Sequence, residues 1–281
     1  MKGYPIIRVC WYVSNILLVV SLAVVLYSAG WEFSTRSYLK GFSDAIIPSS
    51  DDSEQKVQAI LTWMQNGPAR RNTPDPDALD GRNPEDTLNY HQLLEVCGTA
   101  TNAFVNLAQS SGLHARRLLL LDENRRSKHV VVETLIDNRW IVVDPSYHAI
   151  LRLPTGRPAI REELRNPEVF RAATQTIPNY PSIYTYETTA HVHLERIPLA
   201  GNFIRRALNF IWPSWEEAIG WTLLLERESF ALLTISILLL CFALAVRIFL
   251  SRYCFRKLGI VPVRLRDQLV RAGEVLSSNS K

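Results

Sequence analysis

Cysteine is scarce in this chain, four among 281 residues, and their placement excludes a disulfide scaffold. Cys10 and Cys241 fall inside long apolar runs and Cys254 follows the second of them, which leaves Cys97 alone in the stretch between. No bridge can form within that stretch, so its stability has to come from a hydrophobic core. Glycine (12) and proline (15) are too few for a collagen-like or low-complexity chain, and there is no internal repeat, which excludes a solenoid. Acidic residues are rare at the ends. Residues 1–8 and 252–281 hold nine of the 31 Lys and Arg but two of the 27 Asp and Glu, a net of +7, whereas the stretch between carries −3. The basic character is terminal, so a nucleic-acid-binding face on the folded part is not expected.

Charge is missing altogether from Val9 to Trp31. At 1.5 Å per residue that run crosses a hydrocarbon core of about 30 Å, and Trp11 and Trp31 stand near the two expected interfaces. A cleaved signal peptide is the rival reading, since Lys2 and Arg8 suit its basic start and Ser28-Ala29-Gly30 are small. The run is long for that, and Tyr27 is bulky at the −3 position, so retention is expected. The second run, Phe230 to Leu250, has one charge, Arg247, whose stem can lie along lipid while its head reaches the interface. Arg252, Arg256 and Lys257 follow. The positive-inside rule then puts both termini in the cytoplasm and the domain on the outer side, with the lipid bilayer as partner. The expected organisation is a cytoplasmic N-terminus (1–8), a membrane helix (9–31), a polar connector (32–52), a domain (53–200), an interfacial amphipathic segment (201–228), a membrane helix (229–250) and a basic tail (251–281). Phe203, Leu208, Phe210, Ile211, Trp212, Trp215 and Trp221, interleaved with Arg and Glu, suit the headgroup layer or a plain surface helix equally.

Within the domain, Asp52 with Gln55 has the form of a helix start, and Val57, Ile60, Leu61 and Met64 recur at helical spacing until Asn66-Gly67. Residues 68–89 are rich in Pro and Asp without periodicity and read as a long loop, mobile or a flap. Their acidic residues do not have EF-hand spacing, and no metal or other cofactor is expected. Cys97 opens a second helix that ends at Ser111-Gly112. Three β-runs follow, 116–121, 129–136 and 139–143, with Asp137-Asn138 as a two-residue hairpin turn. Only a short helix near 160–170 is assignable in the Pro- and Tyr-rich stretch 151–200.

A thiolate at a helix start is stabilised by unpaired N–H groups and the helix dipole, which suits Cys97 to be a nucleophile. Such a nucleophile needs a base, and the base a group that fixes its tautomer. With a two-residue turn at 137–138, paired positions sum to 275. Asp144 then faces Val131 and lies diagonal to His129 on one sheet face, where carboxylate and imidazole meet. A three-residue turn would put them on opposite faces. His91 and Gln92, shortly before Cys97, and the indole of Trp63 are candidates for lining the cleft or donating to an oxyanion, beside the Cys97 amide itself. His148, His191 and His193 read as solvated polar residues.

The blocks Glu95-Val96-Cys97-Gly98-Thr99-Ala100 to Arg116, His129-Val130-Val131-Val132-Glu133, and Trp140 to Asp144-Pro145 resemble the core of the transglutaminase-like superfamily. The resemblance covers about residues 55–150 and departs at Val131, where many relatives carry an aromatic, and at Val96, where a small residue often precedes the cysteine. It implies an α+β papain-like fold, here flanked by two transmembrane helices, and a triad mapped to Cys97, His129 and Asp144. The activity it implies is thioester-forming acyl transfer on amide bonds, by hydrolysis or transamidation, with a peptide or protein of the cell envelope as substrate. A catalytically silent envelope scaffold is the alternative. A redox sensor ranks last, because no resolving cysteine stands in the domain. The stretch between the apolar runs has no Asn-x-Ser/Thr, which is compatible with a bacterial inner membrane.

Overall fold

The structure is a computed structural model that describes residues 5–48, 52–67, 83–194, 201–218 and 220–258. It comprises two compact units, one spanning residues 30–232 and the other formed by residues 1–29 with 233–281. Helix α1 is Pro5–Ile46 and helix α11, the last, is Glu228–Leu258, so each runs through both units. Both are long and apolar enough to cross a membrane. In the second unit Ser14, Ser21 and Ser28 are buried at seven-residue intervals, as are Ser236 and Ala243. Small side chains let helix backbones approach closely where no hydrophobic force favours one helix over lipid, and the Ser28 and Ser236 hydroxyls meet at 3.0 Å. Arg247 donates from Nε to Asn15 Oδ1 at 2.9 Å and stacks on the Trp11 ring.

The expected connector at 32–52 is corrected by the continuation of α1 to Ile46. Leu39, Phe42 and Ile46 recur at helical spacing inside an otherwise polar sequence, and that stripe packs on the domain core. Helix α2 (Ser53–Asn66) starts at Asp52, whose carboxylate accepts from the Glu54 and Gln55 amides, and it buries Val57, Ile60, Leu61 and Met64. Residues 68–82, with Asp75, Asp77 and Asp80 of the acidic residues weighed for calcium, lie outside the described residues, whereas Glu85 and Asp86 fall in the first turn of the next helix. Residues 84–89 are a correction: they form α3 (Pro84–Asn89), capped by Asn83 with Pro at its first position. Helix α4 (His91–Glu95) follows.

Helix α5 (Cys97–Ser110) is the centre of the domain, buried from Ala100 to Ala108. It ends because Gly112 takes φ +84°, letting the Leu113 amide reach Ala108 O (2.9 Å) and the Gly112 amide reach Gln109 O (3.1 Å). Truncating Phe104 or Leu107 at this depth costs on the order of 3–5 kcal/mol. Strands β1 (Ala115–Leu121), β2 (Ser127–Ile136), β3 (Arg139–Asp144), β4 (Ala149–Ile150) and, further on, β5 (Thr189–Ala190) form an antiparallel sheet of order β4-β3-β2-β1-β5. One face packs on α2 and α5 through Val132, Ile136, Ile141 and Val143. The other, with Leu118, Leu120, Val131 and Val142, is covered by α6 (Arg161–Leu164) and α7 (Pro167–Thr174). The single helix expected near 160–170 is thus two, because Asn166 caps a new start at Pro167.

Helices α8 (Gly201–Ile211), α9 (Trp215–Ala218) and α10 (Trp221–Glu226) complete the domain. Trp215 is fully buried, which corrects its assignment to a headgroup layer. A buried polar network ties the chain before α11 to α5. Asn102 and Asn106 donate to Glu226 O (2.6 and 2.9 Å), Arg227 Nε donates to Asn106 Oδ1 (2.8 Å), and Glu32 accepts from Arg227 (3.2 Å) and Ser229 (2.7 Å). Arg117 pairs with Glu226. Residues 259–281 of the expected basic tail lie outside the described residues.

Candidate active site

The hairpin turn at Asp137 and Asn138 has φ +47° and +62°, a two-residue conformation that Asp and Asn tolerate and that matches the twist of the flanking strands. Its register pairs Ile136 with Arg139 and Val132 with Val143. Beyond Val143 the chain leaves its pairing with β2: Asp144, still paired with Ala149 of β4, caps a single 3₁₀ turn, Pro145–Tyr147, which packs against α4 and α5. The part of β2 carrying His129 continues past its neighbour at that point. His129 Nε2 lies 2.6 Å from Asp144 Oδ2, with both side chains withdrawn from solvent (2% and 0% exposed).

Asp144 is fixed on every side. Its Oδ1 accepts from the Ser146 amide (3.2 Å) and hydroxyl (2.8 Å), and its Oδ2 also accepts from the Tyr180 hydroxyl (2.9 Å). With Nε2 committed to the carboxylate, the buried Nδ1 of His129 has no hydrogen-bond partner of standard geometry and is the ring atom left for a thiol. The Cys97 thiol is beside it, half-buried against Leu119, Leu121, Val130 and Ala190. Cys97 is the first residue of α5, and the preceding Val96 offers no capping side chain, so the first-turn amides keep their donors. Interaction with His129 is the main force lowering the Cys97 pKa, against burial, and the Val130 backbone adds to it. Burial pushes His129 down, but hydrogen bonds to Asp144 and Cys97 prevail and raise it to about 9. Both shifts favour thiolate and imidazolium over the neutral pair.

Tyrosines enclose the imidazole. Tyr184 stacks parallel on His129 with ring centroids 4.1 Å apart, and Tyr147 approaches edge-on at 6.0 Å. Tyr180 packs on Tyr147 at 4.6 Å and on Tyr184 at 5.8 Å. Burial, with Tyr184 and Asp144 nearby, pushes Tyr147 up to about 12, and burial with Tyr186 and Asp144 nearby raises Tyr180 too. Both are neutral hydroxyls at physiological pH.

Of the expected residues, the structure brings Cys97, His129 and Asp144 together. Gln92 is exposed on α4, which packs on α5 and on the 3₁₀ turn. Trp63 meets Phe42 edge-on at 4.9 Å in the core cluster of Tyr38 and Ile46, whereas Cys97 packs on a different cluster. The His91 side chain lies outside the described residues. His191 is not solvated, contrary to expectation, and His193 is half-buried. His191 is buried with Nε2 3.0 Å from Glu133 Oε2, and His193 Nε2 is 3.0 Å from Arg125 O. His148 turns the chain with φ +50°. Among the described residues no group of three His, Cys, Asp or Glu could hold a metal ion. The tyrosines were missed because their stretch has no periodicity. The signal present was their number, Tyr180, Tyr184 and Tyr186 in seven positions.

Residues 40–145 match the model of the transglutaminase-like superfamily, so this part of the chain is a transglutaminase-like domain, and Cys97, His129 and Asp144 all fall within it. No curated protein and no solved structure matches the chain.

Proposed function

We propose that the domain is a cysteine-dependent acyl-transfer enzyme acting on amide bonds of peptides or proteins. The observation that carries this reading is the buried His129–Asp144 pair beside a thiol whose pKa is lowered at a helix start. The Cys97 thiolate attacks the amide carbonyl, the C–N bond breaks, and the His129 imidazolium gives its proton to the leaving amine. The resulting thioester is attacked by water or an amine, whose proton passes to His129, and the S–C bond breaks to restore the thiolate. Asp144 holds the imidazole orientation throughout. The Cys97 amide donates to the developing oxyanion, and Gln92 on the adjacent helix supplies a second donor. Hydrolysis is the default outcome where water reaches the cleft. The two apolar helices and the basic ends support a membrane-anchored enzyme with this domain on the outer side. A scaffold would have no use for a buried imidazole–carboxylate pair aimed at a lone thiol.

The test is acyl trapping. Full-length protein in detergent is incubated with a panel of glutaminyl peptides and peptide thioesters, and the Cys97 peptide is examined by mass spectrometry. A hydroxylamine-labile adduct on Cys97 that is absent from His129→Ala supports the enzyme. A folded protein without an adduct across the panel, or with one indifferent to His129, refutes it.

A further inference from the structure

Helix α8 leaves a row of large apolar side chains uncovered. A helix on the surface of a soluble domain turns its apolar stripe inward and its polar face out. Here the half-buried Arg205 pairs with Glu216 and donates to Val192 O at 2.8 Å, and the exposed Asn209 accepts through Oδ1 from Trp215 Nε1 at 2.8 Å. Its apolar residues divide: Ile204 and Leu208 are half-buried, whereas Phe203 is 75% exposed, Phe210 90% and Ile211 77%, and Trp212 continues that surface at the helix end. Arg205 is thereby held to the body of the domain, and Phe203 and Phe210 lie on the other side of the helix.

We propose that α8 lies flat in the headgroup layer of a lipid bilayer, with Phe203, Phe210 and Ile211 among the acyl chains. The inference rests on the membrane reading of α1 and α11. The occupant is lipid for three reasons visible in the chain. Sixteen positions separate Ile211 from Arg227, after which α11 begins, so α8 is tethered close to a helix of membrane-spanning length. Its sequence has no acidic residue, and with Arg205 neutralised by Glu216 the exposed Arg206 leaves it positive, which suits anionic headgroups. Its outward side chains are the Phe, Ile and Trp set of an interfacial helix, at a depth of about 5–10 Å.

The test uses the full chain in nanodiscs containing one-fifth phosphatidylglycerol, with all four cysteines replaced by Ser and one spin label introduced at position 203, 210, 168 or 238. Collision with oxygen, which partitions into lipid, is compared with collision with nickel-EDDA, which stays in water. Labels on Phe203→Cys and Phe210→Cys are expected to show a severalfold higher oxygen-to-nickel ratio than one on Glu168→Cys, an exposed site on α7. A nickel accessibility at 203 and 210 equal to that at 168 overturns the proposal. So does shielding from both reagents, which would mean a protein covers the face. The label on Leu238→Cys in α11 separates the two readings. Lipid exposure at 238 with water exposure at 210 defeats only the α8 inference, whereas water exposure at 238 defeats the membrane anchor itself.

Discussion

Replacing Asp144 with Asn removes one charge from the site while keeping its shape. His129 is raised from an ordinary 6.5 to about 9 chiefly by hydrogen bonds to Asp144 and Cys97, which overcome a burial effect of opposite sign. At 1.36 kcal/mol per unit, that shift corresponds to about 3 kcal/mol of preference for the imidazolium. In Asp144→Asn burial has less to oppose it, the imidazole is neutral at pH 7 and the thiol keeps its proton. The rate of alkylation of Cys97 by iodoacetamide at pH 6.5 should fall about 100-fold. The measurement is a pH profile from 5 to 10, reading the Cys97 peptide by mass spectrometry so that the other cysteines do not interfere. Wild type should reach its plateau well below the ordinary thiol range, and the variant should titrate like a buried free thiol. The sign for stability follows from the same shift. A raised histidine pKa contributes stability in full below 6.5 and loses it as pH climbs through about 9, so the stability gap between the proteins should be widest in mild acid and close above pH 9. Superimposable alkylation profiles would refute the argument, since they would mean that the carboxylate does not set the charge state of the pair.

Tyr180→Phe deletes the hydroxyl that donates to Asp144 at 2.9 Å but leaves the packing on Tyr147 and Tyr184. Acyl-adduct formation should slow by about 10- to 100-fold in a protein that still folds, and an unchanged rate would show that Ser146 suffices to hold Asp144. Arg227→Met leaves Glu32 buried with Ser229 and Arg36, and Asn106 without its guanidinium partner. Unfolding in detergent should show a loss of about 3 kcal/mol, largely recovered when Glu32→Gln is added, because the penalty comes from an uncompensated buried charge. Equal losses in the single and double variants would contradict that origin.

The part of the site set by short-range rules was legible in the sequence. Asp137-Asn138 specifies a two-residue turn, that turn fixes which residues oppose one another, and the register carries Asp144 to His129. Cys97 was placed by the stop at Gly112 and the helical stripe between. What escaped depends on long-range packing. The segment at 32–46 has few apolar residues, and only the presence of a core to receive Leu39 and Phe42 makes it a helix. Tyr180 and Tyr184 sit in irregular chain whose path is fixed by what it covers, so no periodicity announces that they touch Asp144 and His129. His191 looked solvated because nothing local shows Glu133 lying opposite Arg116 on the neighbouring strand, ready to receive it.

The tight reversal between β2 and β3 makes the chain unusually intolerant of length change at one spot. A single codon gained or lost there would rotate the aspartate to the opposite side of the pleat and strip the imidazole of its anchor, even with every side chain of the trio intact. The charged bend at 122–126, one strand earlier, has no such leverage on Asp144. Among natural variants of this domain, insertions should therefore collect in the bend and avoid the reversal.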